Sequence, residues 1–224
     1  MHPQHVLKLW TTAAPNTAIT WGTKELDYPF IGDDYLSRAR ELFDEVAVVD
    51  EPLVRDYHDV TRSDYVRLRA IYDEGGIYAD TDILCFGSCE LPAADFYITR
   101  IEDYYQQGFV AGNRGSETCR ALLALAPDFL NPADYQCIGT RMLRAAFAAL
   151  PDAVRLLPKN YVHPFVFYEQ PEIFDRVTPL PAESIGIHWF AGSHLAGVWV
   201  NKLTEANYKS FDNTFSEVCR HHDL

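Results

Sequence analysis

The stretch from Ser63 to Asp82, SDYVRLRAIYDEGGIYADTD, restricts this chain more than any other. Tyr65, Leu68, Ile71 and Tyr72 fall on one helical stripe, which predicts a helix over Thr61–Glu74. Thr61 and Asp64 have the spacing of a capping box, with Asp in place of the usual Glu. Gly75 is placed as the left-handed terminator and Gly76 as the reversal into a strand. The segment Ile77–Phe86, IYADTDILCF, then reads as a strand that passes through Asp80 and Asp82, unless the chain turns within Ala79–Thr81. A helix delivered into an apolar strand by two glycines is the unit of an α/β protein.

The rest of the chain repeats the alternation. Strands are predicted over His5–Trp10, Val46–Asp50, Asp95–Glu102, Gly108–Asn113, Val154–Pro158 and Ile185–Phe190. Helices are predicted over Asp33–Glu45, Ser116–Leu130 and Gln136–Leu150. The stretch between the Val154–Pro158 strand and Ile185 is rich in Pro and aromatics and reads as irregular. No repeat, low-complexity segment or linker interrupts the 224 residues. One α/β domain over 1–224, a sandwich with a mainly parallel sheet, is the expected fold.

Charge narrows the function. A formal net charge of -13 argues against nucleic acid as a partner, because such binding needs a basic surface. It also repels any phosphorylated ligand unless a cation intervenes. Cys85, Cys89, Cys119, Cys137 and Cys219 lack disulfide-framework or zinc-site spacing and read as reduced thiols. No signal-peptide pattern and no apolar run of membrane-spanning length is present. A cytoplasmic chain without a transmembrane segment is expected, one that could still work beside a membrane.

The acids answer the charge difficulty. On a strand, Tyr78, Asp80 and Asp82 share a face, and two adjacent carboxylates repel unless a divalent cation joins them. Hard oxygen ligands suit Mg2+ or Mn2+, ions that also accept phosphate oxygens. Asp64 and Arg67, at i and i+3, face one cleft. Arg67 can pair with Asp64 or offer its guanidinium to a phosphate or sugar hydroxyl. Open α/β sheets bind ligands beyond the carboxyl ends of strands, where both acids lie if the strand ends there.

Taken together, Ser63, Asp64, Arg67, Gly75, Gly76, Tyr78, Asp80 and Asp82 resemble, without a gap, the signature of the DXD-containing sugar transferases. That group is typified by fungal initiating mannosyltransferases and includes bacterial capsule and O-antigen transferases and the glucosylating domain of large clostridial toxins. HVLKLW (5–10), Ile138–Thr140, Leu157–Pro164 and IHWFAGS (187–193) are weaker echoes. The Thr-Gly-Pro proline is missing, and His194 stands where the closing motif usually has Trp, with Trp199 a possible substitute.

The resemblance implies a GT-A fold, a Rossmann-like nucleotide-sugar-binding sandwich. It implies a nucleotide-sugar donor (a UDP-sugar in preference to a GDP-sugar), Mn2+ or Mg2+, and transfer of a hexose with retention to a glycan, lipid-linked or protein acceptor. By position, Trp10 would stack on the base, Asp64 and Arg67 would hold the sugar, and Tyr78 would line the donor pocket. Asp80 would contact ribose and the metal's water, Asp82 would ligate the metal, and His188 and Ser193 would join them from the closing motif. Arg67, Asp80 and Asp82 form the implied catalytic set.

No second carboxylate is placed as a nucleophile, which favours front-face substitution with the leaving phosphate helping to deprotonate the acceptor. Glu102, Asp103, Tyr104 and Tyr105 fall where an acceptor-side loop would be, or cover the core. His221 and His222 read as a solvated tail. Two rivals stand beside this reading. In a haloacid-dehalogenase-like phosphotransferase Asp80 would be the nucleophile and Asp82 the acid–base, but Leu84 stands where that motif has Thr or Val. The other is a non-catalytic relative that binds a glycan or a partner.

Overall fold

The computed structural model describes residues 8–11, 18–21, 24–27, 40 and 44–224. The body of the helix expected over Asp33–Glu45, and the first residues of the His5–Trp10 strand, lie outside the described residues. Strands β1 (Lys8–Thr11) and β4 (Glu45–Val48) pair in parallel, with Trp10 opposite Ala47. Strands β2 (Ala18–Trp21) and β3 (Lys24–Asp27) pair antiparallel.

The main sheet is four-stranded, in the order β5 (Gly76–Ala79), β8 (Tyr104–Gly112), β7 (Phe96–Ile101), β9 (Val154–Leu157). Only β7–β9 is parallel, while β5–β8 and β7–β8 are antiparallel, so the sheet is mixed rather than mainly parallel. The cause is the segment read as an acceptor-side loop. Glu102 and Asp103 close a tight hairpin between β7 and β8, with Glu102 at φ 53°, and a tight hairpin obliges antiparallel pairing. Tyr105 is accordingly a core residue, its hydroxyl donating to the Phe147 carbonyl at 3.0 Å.

Both faces of this sheet are covered. Phe96, Ile98 and Val110 pack into a cluster with Leu68 and Ile71 of α1 (Asp59–Glu74), Leu122 and Ala126 of α2 (Glu117–Phe129), and Met142 and Leu143 of α3 (Met142–Ala146). Tyr97, Phe109 and Ala111 point the other way, onto Leu157, Val162 and Ile83. The alternation along β7 is the two-residue period of a strand buried on both sides. A third cluster gathers the C-terminal aromatics around α4 (Pro171–Phe174), α5 (His194–Val200) and α6 (Thr214–His221). Trp199 is spent there, stacked 4.9 Å from Phe174. His221 closes α6 and His222 stacks at 4.4 Å on Phe86; both are exposed, so the solvated tail expected here is an exposed helix end.

Helix α1 begins two residues earlier than the capping-box reading placed it. His58 is the cap, its Nδ1 accepting from the Val60 N–H at 3.2 Å. Thr61 is buried in the helix and donates to the Tyr135 carbonyl at 3.1 Å, which leaves Asp64 to face inward. At the other end Gly75 has φ 72° and ψ -173°, a combination open essentially to glycine alone. A Cβ there would sit 2.6 Å from the Arg114 nitrogen. The helix expected over Gln136–Leu150 is present over Cys137–Ala146, with Cys137–Arg141 wound as a π-helix ahead of the short α3.

The feature that places the site is how β5 ends. The chain does turn after Ala79: Ile83 N donates to the Asp80 carbonyl at 3.0 Å, and β6 (Ile83–Cys85) leaves in a new direction. β6 pairs antiparallel with β10 (Gly186–His188), setting His188 opposite Ile83. The mixed α/β arrangement with open sheets is consistent with a GT-A-like domain.

Candidate active site

Asp80 and Asp82 occupy the turn beyond the carboxyl end of β5, and the sheet edge beneath them is shaped to admit them. Ile98 faces Val110 while Thr99 faces Gln106, so Gln107, Gly108 and Phe109 bulge out of the β7–β8 pairing. The bulge lifts the Gly108 carbonyl to accept from Asp80 N at 2.7 Å. A Cβ on Gly108 would meet His188 Cε1 at 2.7 Å and Asp80 Oδ2 at 2.9 Å. Glycine here is a condition of the site, because any side chain would push the two groups apart.

On the helix side, Arg67 is the hub. Its Nη2 lies 3.3 Å from Asp64 Oδ1 and 3.2 Å from Asp80 Oδ1, and it donates to Ser63 Oγ at 2.9 Å. The guanidinium also sits 4.9 Å from the centre of the Tyr78 ring, whose hydroxyl donates to Asp80 Oδ1 at 3.0 Å. Burial of Asp64 raises its carboxyl to about 7, with Arg67 opposing the rise and Asp80 adding to it. For Arg67, burial is outweighed by Asp80, Tyr78, Asp64 and Asp82, and its pKa is raised further. Asp64 lies against Gly139, where a Cβ would come within 2.3 Å of Oδ2. The glycine kept from the weak Thr-Gly-Pro echo therefore has a local steric reason.

On the strand side, the β6–β10 pairing brings His188 Nε2 to 3.1 Å from Asp82 Oδ1. Asp82 Oδ2 accepts the Ala191 N–H at 2.9 Å, and the Asp82 carbonyl accepts Trp189 N at 3.1 Å. Burial works against the charged carboxylate of Asp82, but His188 and the Ala191 N–H prevail and hold it below its ordinary range. Burial likewise opposes charge on His188, and Asp82 overrides it, so that its pKa is raised. Phe190 stacks on the His188 ring at 4.1 Å, and His163 Nε2 lies 3.2 Å from His188 Nδ1.

Asp80, Asp82 and His188 each offer one ligand atom, and these atoms lie within 4.8 Å of one another. Two carboxylates and an imidazole fit a divalent ion such as Mn2+ or Mg2+. The side chains of Asp80 and Asp82 retain 24% and 22% of their exposure, so an ion with part of its water shell can reach them.

Of the residues the sequence singled out, Asp64, Arg67, Tyr78, Asp80, Asp82 and His188 come together. Ser63 joins them through its Oγ, and Trp10 and Ser193 have contacts of their own. Trp10 lies half-buried on β1 with the Lys8 ammonium 4.9 Å from its ring. Ser193 caps α5, accepting from Ala196 N at 3.1 Å and donating to Gln170 Oε1 at 2.7 Å. Sequence reasoning missed His163, Gly108 and the Ala191 N–H. His163 lay within LPKNYVHP, Ala191 within IHWFAGS and Gly108 at the start of an expected strand, but nothing in their spacing tied them to Asp82 or His188.

No curated protein matches the chain. Residues 1–97, which contain α1, β5, both aspartates and β6, match the family model of the glycosyltransferase sugar-binding region containing DXD motif. His163 and His188 fall beyond the matched residues. The match, over less than half of the chain, supports a DXD-motif glycosyltransferase family, and the matched domain indicates a transferase enzyme.

Proposed function

We propose that residues 1–224 form a single catalytic domain that moves a hexose, with retention, from a nucleotide sugar to a glycan, lipid-linked or protein acceptor. A UDP-sugar is preferred to a GDP-sugar as donor. The observation that carries the reading is the convergence of Asp80, Asp82 and His188 on one point beside the buried Arg67. Those three residues would hold Mn2+ or Mg2+, which when bound would neutralise diphosphate charge.

The remaining roles belong to the chain itself. Asp64, wedged against Gly139, accepts from a sugar hydroxyl, and Arg67 donates to the diphosphate or the sugar from between its two carboxylates. Tyr78 holds Asp80 in position and lines the pocket, and Trp10 stacks on the base. Ser193, a donor-binding residue by the resemblance, has its hydroxyl engaged by Gln170 and Ala196 N, and serves the site through the loop it holds. The anomeric C–O bond to the diphosphate breaks, and a C–O bond to the acceptor hydroxyl forms on the same face. The acceptor proton passes to the leaving phosphate oxygen. Trapping of a covalent glycosyl-enzyme would overturn this step.

Among the described residues no helix is long and apolar enough to cross a membrane. All five cysteines are free thiols, in keeping with a reducing, cytoplasmic setting. The test is a screen of nucleotide sugars for Mn2+-dependent hydrolysis. We expect one donor to be cleaved by the wild-type chain and not by D82N. Cleavage of an aryl phosphate in place of every nucleotide sugar would overturn the reading in favour of a phosphotransferase.

A further inference from the structure

His163 is wholly buried, yet only one of its nitrogens has a partner. Nε2 lies 3.2 Å from His188 Nδ1, and Nδ1 has no hydrogen-bond partner. Were this position only core, an apolar ring would fill it without the cost of an unpaired buried nitrogen. The neighbouring His188 ring is fixed by Phe190 stacked at 4.1 Å, by the Gly108 backbone against its edge, and by Asp82 at Nε2. A neutral imidazole binds a cation through the nitrogen that carries no proton. For Nε2 to do so, the proton of His188 must reside on Nδ1, and that N–H needs an acceptor inside the protein.

Among the described residues that acceptor is His163 Nε2. We infer that His163 is a positioning residue that accepts the Nδ1–H of His188 and thereby keeps Nε2 open to a divalent cation beside Asp80 and Asp82. The inference rests on the metal reading given above. It explains the unpaired nitrogen: with Nε2 committed as acceptor, the proton of His163 is confined to Nδ1, and the protein tolerates that cost to orient a ligand.

The test uses Mn2+ alone, added to the full chain and followed by the paramagnetic resonance signal of the free ion. H163F should weaken Mn2+ binding by about tenfold or more, whereas H163Q, whose amide oxygen can accept the same proton, should recover most of it. A purely packing role would favour Phe over Gln, so an unchanged affinity in H163F, or equal losses in both variants, overturns the inference. Nitrogen-15 spectra of the wild-type chain with Mg2+ give a second readout that survives if H163F fails to fold. A proton on His188 Nδ1 is expected, and a proton on Nε2 overturns the inference. D82N separates the two levels. If the wild type binds Mn2+, D82N does not and H163F still does, the inference alone falls. If the wild type binds none, or D82N binds as well as wild type, the metal reading falls and takes this inference with it.

Discussion

The two flanks of the site hold the same kind of group in opposite states. On the helix flank, Asp64 sits in a closed pocket with Arg67 as its counter-charge, and its carboxyl is raised to about 7. On the strand flank, Asp82 is also partly enclosed, yet its carboxyl is held below the ordinary range by His188 and the Ala191 N–H. Asp80 stands between them, touching Arg67 and Tyr78 on one side and lying near His188 on the other. The helix flank carries its own cation, so its acids are already balanced. The strand flank keeps its acid ionised beside an imidazole, a pair better suited to receive a cation from outside. On the function proposed above, the difference divides the labour: one flank would hold shape and meet sugar, the other would bind an ion.

The division breaks most sharply on paired variants. D82N should lower Mn2+ affinity by at least about a hundredfold with donor hydrolysis lost, because it removes a charged ligand. R67M should retain Mn2+ uptake but lose about 3–5 kcal/mol of stability, since it strands Asp64 in a buried pocket and removes the counter-charge of Asp80. Denaturant titration and Mn2+ titration of both variants check this. Should R67M abolish Mn2+ binding as D82N does, the flanks are one unit and the comparison fails.

The flanks also differ in pH response. Asp64 is raised in the folded chain above its ordinary 3.8, so the folded state holds a proton that the unfolded state has released. That contribution is complete below about pH 4 and is lost as pH rises to about 7, a fall of up to about 4 kcal/mol. Asp82 has the opposite sign: its contribution is present above the ordinary carboxylate range and is lost on acidification through its lowered pKa. D64N should therefore flatten the fall in stability between pH 4 and 7, and D82N should leave that fall in place. Stability measured across this range, free of metal, decides between them.

How much of this the sequence disclosed follows the same division. The helix flank was legible because it is local. Asp64 and Arg67 are one turn apart, two glycines fix the reversal, and Tyr78 and Asp80 follow at strand spacing within twenty residues. The strand flank was only partly legible, because His188 meets Asp82 through the β6–β10 pairing across about a hundred residues of chain. No local pattern announces that. Sheet direction was misread for a related reason. The β7–β8 turn uses Glu102 at positive φ in place of the Asn-Gly or Asp-Gly that signals a hairpin. Alternation of strands with helices implies a parallel sheet, but β7 and β8 follow one another with no helix between them. The start of α1 was shifted because His58 caps it, a residue outside the usual capping set.

Two glycines allow a finer comparison. Gly139 leaves room for Asp64, and Gly108 leaves room for His188 and Asp80. Adding a methyl group to either should cost about 1–3 kcal/mol of stability, as overpacking does. Their ligand effects should separate. G108A should weaken Mn2+ binding while G139A should spare it and impair donor hydrolysis. In a double-mutant cycle, G139A combined with D64A should be less destabilised than the sum of the two, because the clashing oxygens are gone. Additivity in that cycle would mean that Asp64 does not rest against Gly139.

The smallest effect sits at Ser193, where the two roles open to it predict different measurements. Its hydroxyl is engaged twice, as the cap of α5 and as donor to Gln170, whose own amide reaches the Phe190 carbonyl at 3.4 Å. A residue so occupied acts on the site by holding the loop that carries Phe190 and Ala191, and so the N–H that Asp82 accepts. S193A should then cost about 1 kcal/mol, as the loss of a helix cap does. It should loosen Mn2+ binding slightly and leave the donor KM where it is. A raised donor KM with unchanged Mn2+ binding would mean that the hydroxyl turns from its cap to the sugar nucleotide, moving Ser193 from the ion-binding flank to the donor.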